Sequence, residues 1–335
     1  MRYLATCAML AFLPLGAQAA DLTALHQESV PGIAPFVRFA ANQSGQPDTR
    51  FYVATPQRKA PLVLFIQGSG CAPAIYETAP GKPAATVFAL VPLGRAGKHA
   101  AMVVEKPFAP ATPPVGQGGA GGCPSAFNEH FSMGSWLATL KTAIGHALGL
   151  PYVDRSRVLV IGVSEGATMA AALARDLPEV SHVALLGATG PSQYYDFVVN
   201  AYAQGGDDAE RLHRLHALDA TFDAIGAEPE SGSKFAWGHS YKRWSSFFKE
   251  SSSDNLARAR ARVYLVSGMR DTNVPALSSE VLFAQLKTQG RDVHIRRIPG
   301  AGHDLQPPGA GYGVLDKEYA AILQWFDTGE IASSN

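Results

Sequence analysis

Three side chains in this sequence, in the order Ser164, Asp271 and His303, could together turn a serine hydroxyl into a nucleophile. A serine hydroxyl is a weak nucleophile at neutral pH, and it needs a neighbouring imidazole to take its proton. A carboxylate must hold that imidazole in the correct tautomer and stabilise the imidazolium that forms. We therefore expect Ser164 to be the nucleophile, His303 the general base and then general acid, and Asp271 the orienting acid. Asp304, the neighbour of the histidine in sequence, is the alternative carboxylate.

Ser164 occupies the centre of residues 162–166, Gly-Val-Ser-Glu-Gly, which follow an apolar, β-branched run. A run of small helix-forming residues comes next, so the expected order is strand, sharp turn and helix. This is the form of the G-x-S-x-G nucleophile elbow. Glycine is needed at both ends because a side chain there would collide with neighbouring backbone. The strained turn would lift the serine hydroxyl out of the sheet, where substrate can reach it.

Asp271 and His303 also follow apolar runs that are typical of strands buried on both faces. These runs alternate with helical patterns, which predicts an α/β fold with a mostly parallel central sheet and helices on both faces. The candidate residues would then meet at the carboxyl ends of the strands. The predicted core strands are residues 61–68, 100–105, 158–163, 182–187, 262–268 and 293–298, and the helices are residues 84–97, 132–148, 278–288 and 315–327. Residues 36–39 and 50–54 are expected to be short strands, the first of them inside an otherwise loose lead-in, residues 21–48.

Residues 191–257 have no strand-like apolar run, and a charged helical pattern covers residues 207–222. We interpret this segment as a mostly helical cap insertion over the site. Its aromatic residues either line an acyl pocket or form the core of the cap; they are Tyr194, Tyr195, Trp237, Tyr241 and Trp244. Selectivity is expected to lie here and in the Pro- and Gly-rich loop at residues 106–125.

These motifs resemble those of the α/β-hydrolase superfamily over about residues 50 to 328. The resemblance rests on the elbow, on the turn at residues 268–275 that contains Asp271, and on the turn that contains His303. The last two turns look most like those of the dienelactone-hydrolase and prolyl-oligopeptidase branches. The resemblance implies that the mature chain, residues 21–335, is one α/β-hydrolase domain with residues 191–257 inserted as the cap.

The resemblance also implies two backbone N–H donors for the oxyanion of a tetrahedral intermediate. One donor would be Glu165, directly after the nucleophile. The other would come from the loop after the first core strand, where relatives often carry His-Gly and this chain has Gln67 and then glycine. Ser69 N–H is the expected second donor, and Gly70 N–H is the alternative.

Residues 1–20 have one early positive charge, an apolar core and an Ala-Gln-Ala site, as a secretory signal peptide does. Cleavage is expected near residues 19–20, which would remove Cys7 and give a secreted or periplasmic protein. In an oxidising compartment the remaining pair, Cys71 and Cys123, is expected to form a disulfide worth about 4 kcal/mol. Two separate buried thiols are the alternative.

Composition excludes several classes of partner. The 335 residues carry 28 basic and 28 acidic side chains, so neither nucleic acid nor an anionic membrane is an expected partner. No other stretch is long and apolar enough to span a bilayer. His213 and His216 have no third ligand nearby and there is no C-x-x-C pair, so we expect no metal and no cofactor. The sequence does not indicate an oligomeric state.

The leading hypothesis is an exported serine hydrolase that cleaves small carboxylic esters through an acyl-enzyme intermediate. A serine peptidase or an acyltransferase could use the same three residues on a peptide or another acyl donor. A non-catalytic binding protein that keeps the fold is a hypothesis of a different class. The complete set of Ser164, Asp271 and His303 argues against that last alternative.

Overall fold

The structure is a computed structural model that describes residues 25–30, 32–33, 35–41, 47–114, 122–311 and 313–331. The predicted signal peptide, residues 1–20, lies outside the described residues. The strands are β1 (Leu25–Ser29), β2 (Phe36–Ala41), β3 (Thr49–Ala54), β4 (Ala60–Ile66), β5 (Ile75–Ala79), β6 (Lys82–Ala85), β7 (Ala100–Val104), β8 (Val153–Val163), β9 (Val180–Leu186), β10 (Phe235–Ala236), β11 (His239–Ser240), β12 (Arg262–Gly268) and β13 (Val293–Ile298).

The helices alternate with the strands along most of the chain. They are α1 (Leu90–Ala96), α2 (Ser125–His130), α3 (Met133–Leu148), α4 (Glu165–Asp176), α5 (Gln193–Ala203), α6 (Asp208–Ala227), α7 (Tyr241–Phe247), α8 (Ser252–Arg258), α9 (Ala276–Thr288) and α10 (Gly313–Thr328). None of the helices in the described part of the chain is long and apolar enough to cross a membrane.

A nine-stranded sheet in the order β1-β2-β3-β7-β4-β8-β9-β12-β13 forms the centre of the fold. The last six strands in this order are parallel, and β1, β2 and β3 join the edge in antiparallel pairs. Successive residues of β4 contribute to opposite faces: Leu62 and Leu64 pack on one side, and Val63 and Phe65 on the other. Alternation of apolar side chains on both faces requires cover on both faces.

Helices provide that cover on each side of the sheet. Buried residues of α3, α4, α8 and α9 join the first apolar cluster, and those of α1 and α10 join the second. Local sequence explains α3 well, because Ser132 caps its first turn reciprocally with Ser135 and the apolar Trp136, Leu140 and Ile144 follow at helical spacing. The predicted fold class, a mostly parallel sheet with helices on both faces, is confirmed.

Two parts of the amino-terminal region differ from the sequence prediction. The lead-in contains β1, which pairs with β2 throughout, so it is not loose there. The predicted helix over residues 84–97 is also too long. The strand β6 takes its first residues, Pro92 lies in the first turn of α1, and Gly97 ends α1 in a left-handed conformation with φ 66°.

Residues 191–257 contain α5, α6, α7 and most of α8, together with the two-residue hairpin β10–β11. Tyr194 and Phe222 pack with ring centroids 4.2 Å apart, and Trp244 and Phe248 stack at 5.1 Å. The segment therefore has an aromatic interior of its own. Its description as a separate cap stays a prediction.

Candidate active site

Ser164 lies in a sharp turn between β8 and α4, with φ 56° and ψ −118°. This left-handed region is costly for any residue with a Cβ, so the turn is strained. The flanking glycines are sterically required. A Cβ on Gly162 would lie 2.1 Å from the carbonyl oxygen of Gly166, and one on Gly166 would lie 2.2 Å from the carbonyl oxygen of Ile66. The local geometry is that of a nucleophile elbow.

The structure brings Ser164, His303 and Asp271 together. His303 Nε2 lies 3.0 Å from Ser164 Oγ, and His303 Nδ1 lies 2.7 Å from Asp271 Oδ2. The turn after β12 carries Asp271, and the turn after β13 carries His303. The carboxyl ends of parallel strands thus place three residues that are distant in sequence at one point.

Asp271 is itself held firmly. Its Oδ1 accepts the backbone N–H groups of Asn273 and Val274, each at 2.9 Å, and the residue is buried. The other oxygen is thereby directed to His303. Gly187, at the end of β9, allows this approach: it has φ 59°, and a Cβ there would lie 3.3 Å from the ring of His303.

Glu165, the residue after Ser164, is buried between two cations. Its Oε1 accepts from Lys106 Nζ at 2.6 Å, and its Oε2 accepts from Arg243 Nε and Nη2 at 3.0 and 2.9 Å. Burial alone would raise the pKa of Glu165, but the charges of Lys106 and Arg243 outweigh it and lower that pKa to about 2. Glu165 is therefore an ionised carboxylate within the elbow itself, at the start of α4.

Lys106 and Arg243 are site residues that the sequence reasoning missed. Lys106 begins an irregular loop and Arg243 lies on α7, so no motif links either residue to the elbow. A buried cation needs a partner, and the only sequence signal was an acid at position 165 directly after the candidate nucleophile. A carboxylate that starts a helix packed on a sheet must find a cation or a donor there.

The candidate oxyanion loop, residues 67–70, follows β4. A Cβ on Gly68 would lie 3.5 Å from the Cβ of Ser164, so the loop passes close to Ser164. Gly70 has φ 93°, which glycine adopts without strain. The next residue, Cys71, is joined by a disulfide to Cys123, with Cα atoms 5.8 Å apart. This bond fixes one end of the loop.

His303 lines two cavities of different character. The first, of about 380 Å³, also includes Ser164 and is mainly polar; its other polar lining residues include Ser69, Gln193, Asp196, Asn200, Arg243 and Asn273. The second, of about 280 Å³, is mainly apolar and is lined by residues that include Val87, Phe88, Val163, Leu186, Leu305 and Tyr319. His303 therefore borders one polar and one apolar cavity.

Two aromatic residues of the helical segment reach the polar cavity. Trp237 and Trp244 line the polar cavity, whereas Tyr194 Oη donates to Asp219 away from it. Trp237 has φ 44°, a conformation that is rare for a bulky residue, and its ring stacks on Phe197 with centroids 4.3 Å apart. Trp237 and Trp244 therefore belong both to the cavity wall and to the aromatic interior of the segment, whereas Tyr194 packs on Phe222 in that interior.

Asp196 is a second buried carboxyl in the wall of the polar cavity. It accepts hydrogen bonds from the hydroxyls of Thr189, at 2.6 Å, and Ser278. Burial raises its pKa to about 7, and the negative charge of Asp271 adds to this rise while the two hydroxyls oppose it. Among the residues that the structure describes, no group of three or more His, Cys, Asp or Glu side chains could hold a metal ion.

Comparison with known proteins finds a family profile that matches part of the chain. The profile of the prolyl oligopeptidase family matches residues 225–329, which include Asp271 and His303. Among curated proteins, none is a significant match to the sequence.

Solved structures share the fold at low sequence identity. The acylaminoacyl peptidase of Pyrococcus horikoshii is 14% identical with a TM-score of 0.60, and the match covers 93% of this chain and 43% of that one. Acetyl xylan esterase 1 from Thermoanaerobacterium sp. JW/SL YS485 is 13% identical with a TM-score of 0.55, covering 90% and 86%. Est1E from Butyrivibrio proteoclasticus is 13% identical with a TM-score of 0.52, covering 87% and 98%.

The sheet order and these structural likenesses together show that the chain has the α/β-hydrolase fold. The chain spans less than half of the peptidase chain that it matches. The substrate of the peptidase therefore does not carry over directly to this chain.

Proposed function

We propose that this protein is an exported serine hydrolase that cleaves carboxylic esters through an acyl-enzyme intermediate on Ser164. The observation that carries the proposal is the continuous hydrogen-bonded chain from Ser164 through His303 to Asp271, at 3.0 and 2.7 Å. This arrangement has the donor and acceptor order that nucleophilic catalysis by serine requires. The strained elbow adds support, because backbone strain of this kind concentrates at functional sites.

In the acylation step, Ser164 Oγ attacks the ester carbonyl carbon while His303 Nε2 takes the hydroxyl proton. Asp271 stabilises the imidazolium that forms and holds its tautomer. The tetrahedral intermediate places its oxyanion near the N–H groups of Glu165 and Ser69. The intermediate then expels the alcohol, which leaves with the proton from His303, and the acyl group remains on Ser164.

Deacylation reverses these roles with water as the nucleophile. His303 takes a proton from water, the hydroxide attacks the acyl carbon, and a second oxyanion forms in the same place. Collapse of this intermediate returns the proton from His303 to Ser164 Oγ and releases the carboxylic acid. The net reaction consumes one water and yields one acid and one alcohol.

The choice of an ester rests on two supports. The likeness to the acetyl xylan esterase extends over 86% of that chain, whereas the likeness to the acylaminoacyl peptidase extends over 43% of that one. Ester cleavage is also the easier reaction, because an alcohol is a better leaving group than an amine. A peptidase is the second candidate, and the prolyl oligopeptidase profile across Asp271 and His303 favours it.

A direct comparison of substrates tests the proposal. Purified protein would be assayed with p-nitrophenyl esters of increasing acyl length and with aminoacyl p-nitroanilides. Ester turnover with little anilide turnover is expected. Higher kcat/KM on the anilides would make the protein a peptidase, and faster acyl transfer to an added alcohol than to water would make it an acyltransferase. No turnover of any of these by folded protein would favour the binding protein.

Export is part of the proposal and has its own test. The disulfide between Cys71 and Cys123 is compatible with an oxidising compartment. Amino-terminal sequencing of protein from the native host should find a mature chain that begins near Asp21. A chain that still begins at Met1 in the cytosolic fraction would contradict export.

A further inference from the structure

Lys106 is a fully buried cation whose hydrogen bonds are all accounted for. Its Nζ donates to the carbonyl oxygen of Gly68 at 2.7 Å, to that of Gly70 at 2.9 Å, and to Glu165 Oε1 at 2.6 Å. An ammonium group has three N–H donors, and here each has one acceptor. The side chain has 0% exposure, so its charge is unscreened by water. Lys106 therefore connects the candidate oxyanion loop to the residue after the nucleophile.

The bond to the Gly68 carbonyl fixes the direction of the next amide. A trans peptide is planar, and its C=O and N–H point in opposite directions. Since the Gly68 oxygen points at Lys106 in the interior, the Ser69 N–H must point away from the interior. Gly70 N–H belongs to the following peptide, and Lys106 does not hold the carbonyl of that peptide. The geometry thus favours Ser69 over Gly70 as the second oxyanion donor.

The Ser69 N–H must point away from the interior if it is to reach a bound substrate. Ser69 and Ser164 line the same polar cavity, and Gly68 is within van der Waals reach of the nucleophile. An N–H that faces this cavity next to Ser164 can reach the oxygen of a bound carbonyl. Preorganised donors of this kind cost no reorganisation when charge develops.

Charge reinforces the geometry. Lys106, Arg243 and Glu165 together carry two positive charges and one negative charge, and all three side chains are buried. One positive charge is left over beneath the two peptides that would hold the oxyanion. A carbonyl that accepts from an ammonium also polarises its own peptide, which makes the attached N–H a better donor. In a low-dielectric interior this favours the negative intermediate over the neutral substrate.

We propose that Lys106 is a positioning residue that fixes Ser69 N–H as the second oxyanion donor and electrostatically supports the intermediate. Lys106 does not touch the substrate; it acts through the Gly68 peptide and through Glu165. This inference rests on the proposed function. Its effect belongs to the transition state, so it should lower kcat and leave KM nearly unchanged.

The test replaces the lysine by an apolar side chain of similar length. Lys106→Met is expected to lower kcat for a p-nitrophenyl ester by about 10²- to 10³-fold, the usual effect of losing one oxyanion donor. KM should change little. The Ki of an aryl trifluoromethyl ketone, which adds to serine and presents an oxyanion, should rise by a similar factor. If Lys106 had only a structural role, its replacement would not raise the Ki of the ketone while leaving the KM of the ester unchanged.

A second variant keeps the test decisive if Lys106→Met folds poorly, because that change leaves Glu165 buried without one of its cations. The double variant Lys106→Met/Glu165→Gln removes the buried carboxylate together with the lysine, keeps the backbone N–H of residue 165, and has the same net charge as the wild type because Arg243 remains. Glu165→Gln alone is the matched control. The double variant should still have a much lower kcat than the control. Equal kcat values, or unchanged ketone affinity, would overturn the inference alone. Absence of turnover by the wild type would overturn the proposed function with it.

Discussion

Asp271 bonds to His303 across 32 residues of sequence, with 2.7 Å between Oδ2 and Nδ1. Asp304, the immediate neighbour of the histidine, bonds elsewhere: its Oδ1 accepts the N–H of Gln306 at 3.1 Å. The carboxylate that can orient the imidazole is therefore the one that follows the neighbouring strand. Asp271 is buried, so its charge acts on His303 with little screening from water.

Replacing the two carboxylates separately tests this arrangement. Asp271→Asn keeps the shape but favours the wrong tautomer of His303, and kcat should fall by about 10⁴-fold. Asp304→Asn is the matched control, and its loss should be far smaller. Both variants would be assayed with the same ester, with folding checked by circular dichroism. Comparable losses in the two variants would contradict the assignment of Asp271.

The disulfide between Cys71 and Cys123 should matter for stability and for activity. The bond joins residues 52 apart in sequence, and closing a loop of this length stabilises by about 4 kcal/mol on the chain-entropy account. Cys71→Ala/Cys123→Ala should lower the free energy of unfolding by about this amount. The ester kcat should fall too, because Cys71 follows the candidate oxyanion loop.

Dithiothreitol provides the control for the disulfide. It should lower the Tm of the wild type and leave the double alanine variant unaffected. Complete reduction would be verified by thiol titration. If it changes neither the Tm nor the kcat of the wild type, the role given to this bond is contradicted.

Asp196 predicts a specific pH dependence of stability. Its pKa is raised by burial to about 7 in the folded protein, from an ordinary value of 3.8. Between about pH 4 and pH 7 the unfolded chain therefore releases a proton that the folded chain retains. The free energy of unfolding should fall as pH rises through this window. Asp271 and His303 are the nearby charged groups, with opposite effects on this pKa.

Asp196→Asn should remove this contribution, because an amide does not titrate. In urea titrations the variant should lose less stability than the wild type between pH 5 and pH 7.5. Asp304→Asn, at an exposed hydrogen bond, should keep the wild-type slope. If the free energy of unfolding of Asp196→Asn falls with rising pH as steeply as that of the wild type, another group is responsible.

Substitution by alanine should have opposite effects on stability at Gly162 and at Gly145. A Cβ on Gly162 would lie 2.1 Å from backbone, so Gly162→Ala should cost about 3 kcal/mol or more. Gly145 lies exposed inside α3 with nothing within 4 Å of an added Cβ, so Gly145→Ala should stabilise by about 1 kcal/mol. Chemical denaturation of both variants measures the difference. A neutral Gly162→Ala would contradict the steric account of the elbow.

Local sequence was enough to predict the order of the core elements. Helix α3 begins directly after the capping Ser132, and β12 and β13 have the bounds that their apolar runs predict. These features depend on side chains close together in sequence, and burial of both faces of the sheet enforces them. The fold class follows from the alternation of such elements.

Contacts between distant segments could not be predicted in this way. Backbone groups pair β1 with β2, and the mostly polar sequence of Leu25–Ser29 has no pattern that predicts a strand. Lys106 and Arg243 reach Glu165 from positions 59 and 78 residues away. Only the tertiary structure shows that these three charges share one buried site.

The central claim, that Ser164 is the nucleophile, is tested most directly by covalent labelling. Folded protein would be treated with a fluorophosphonate probe and the adduct located by peptide mass spectrometry, with Ser164→Ala and heat-denatured protein as controls. The account predicts one adduct per chain on Ser164, and none in either control. A folded wild type that stays unlabelled, or a Ser164→Ala variant labelled to the same extent, would contradict it.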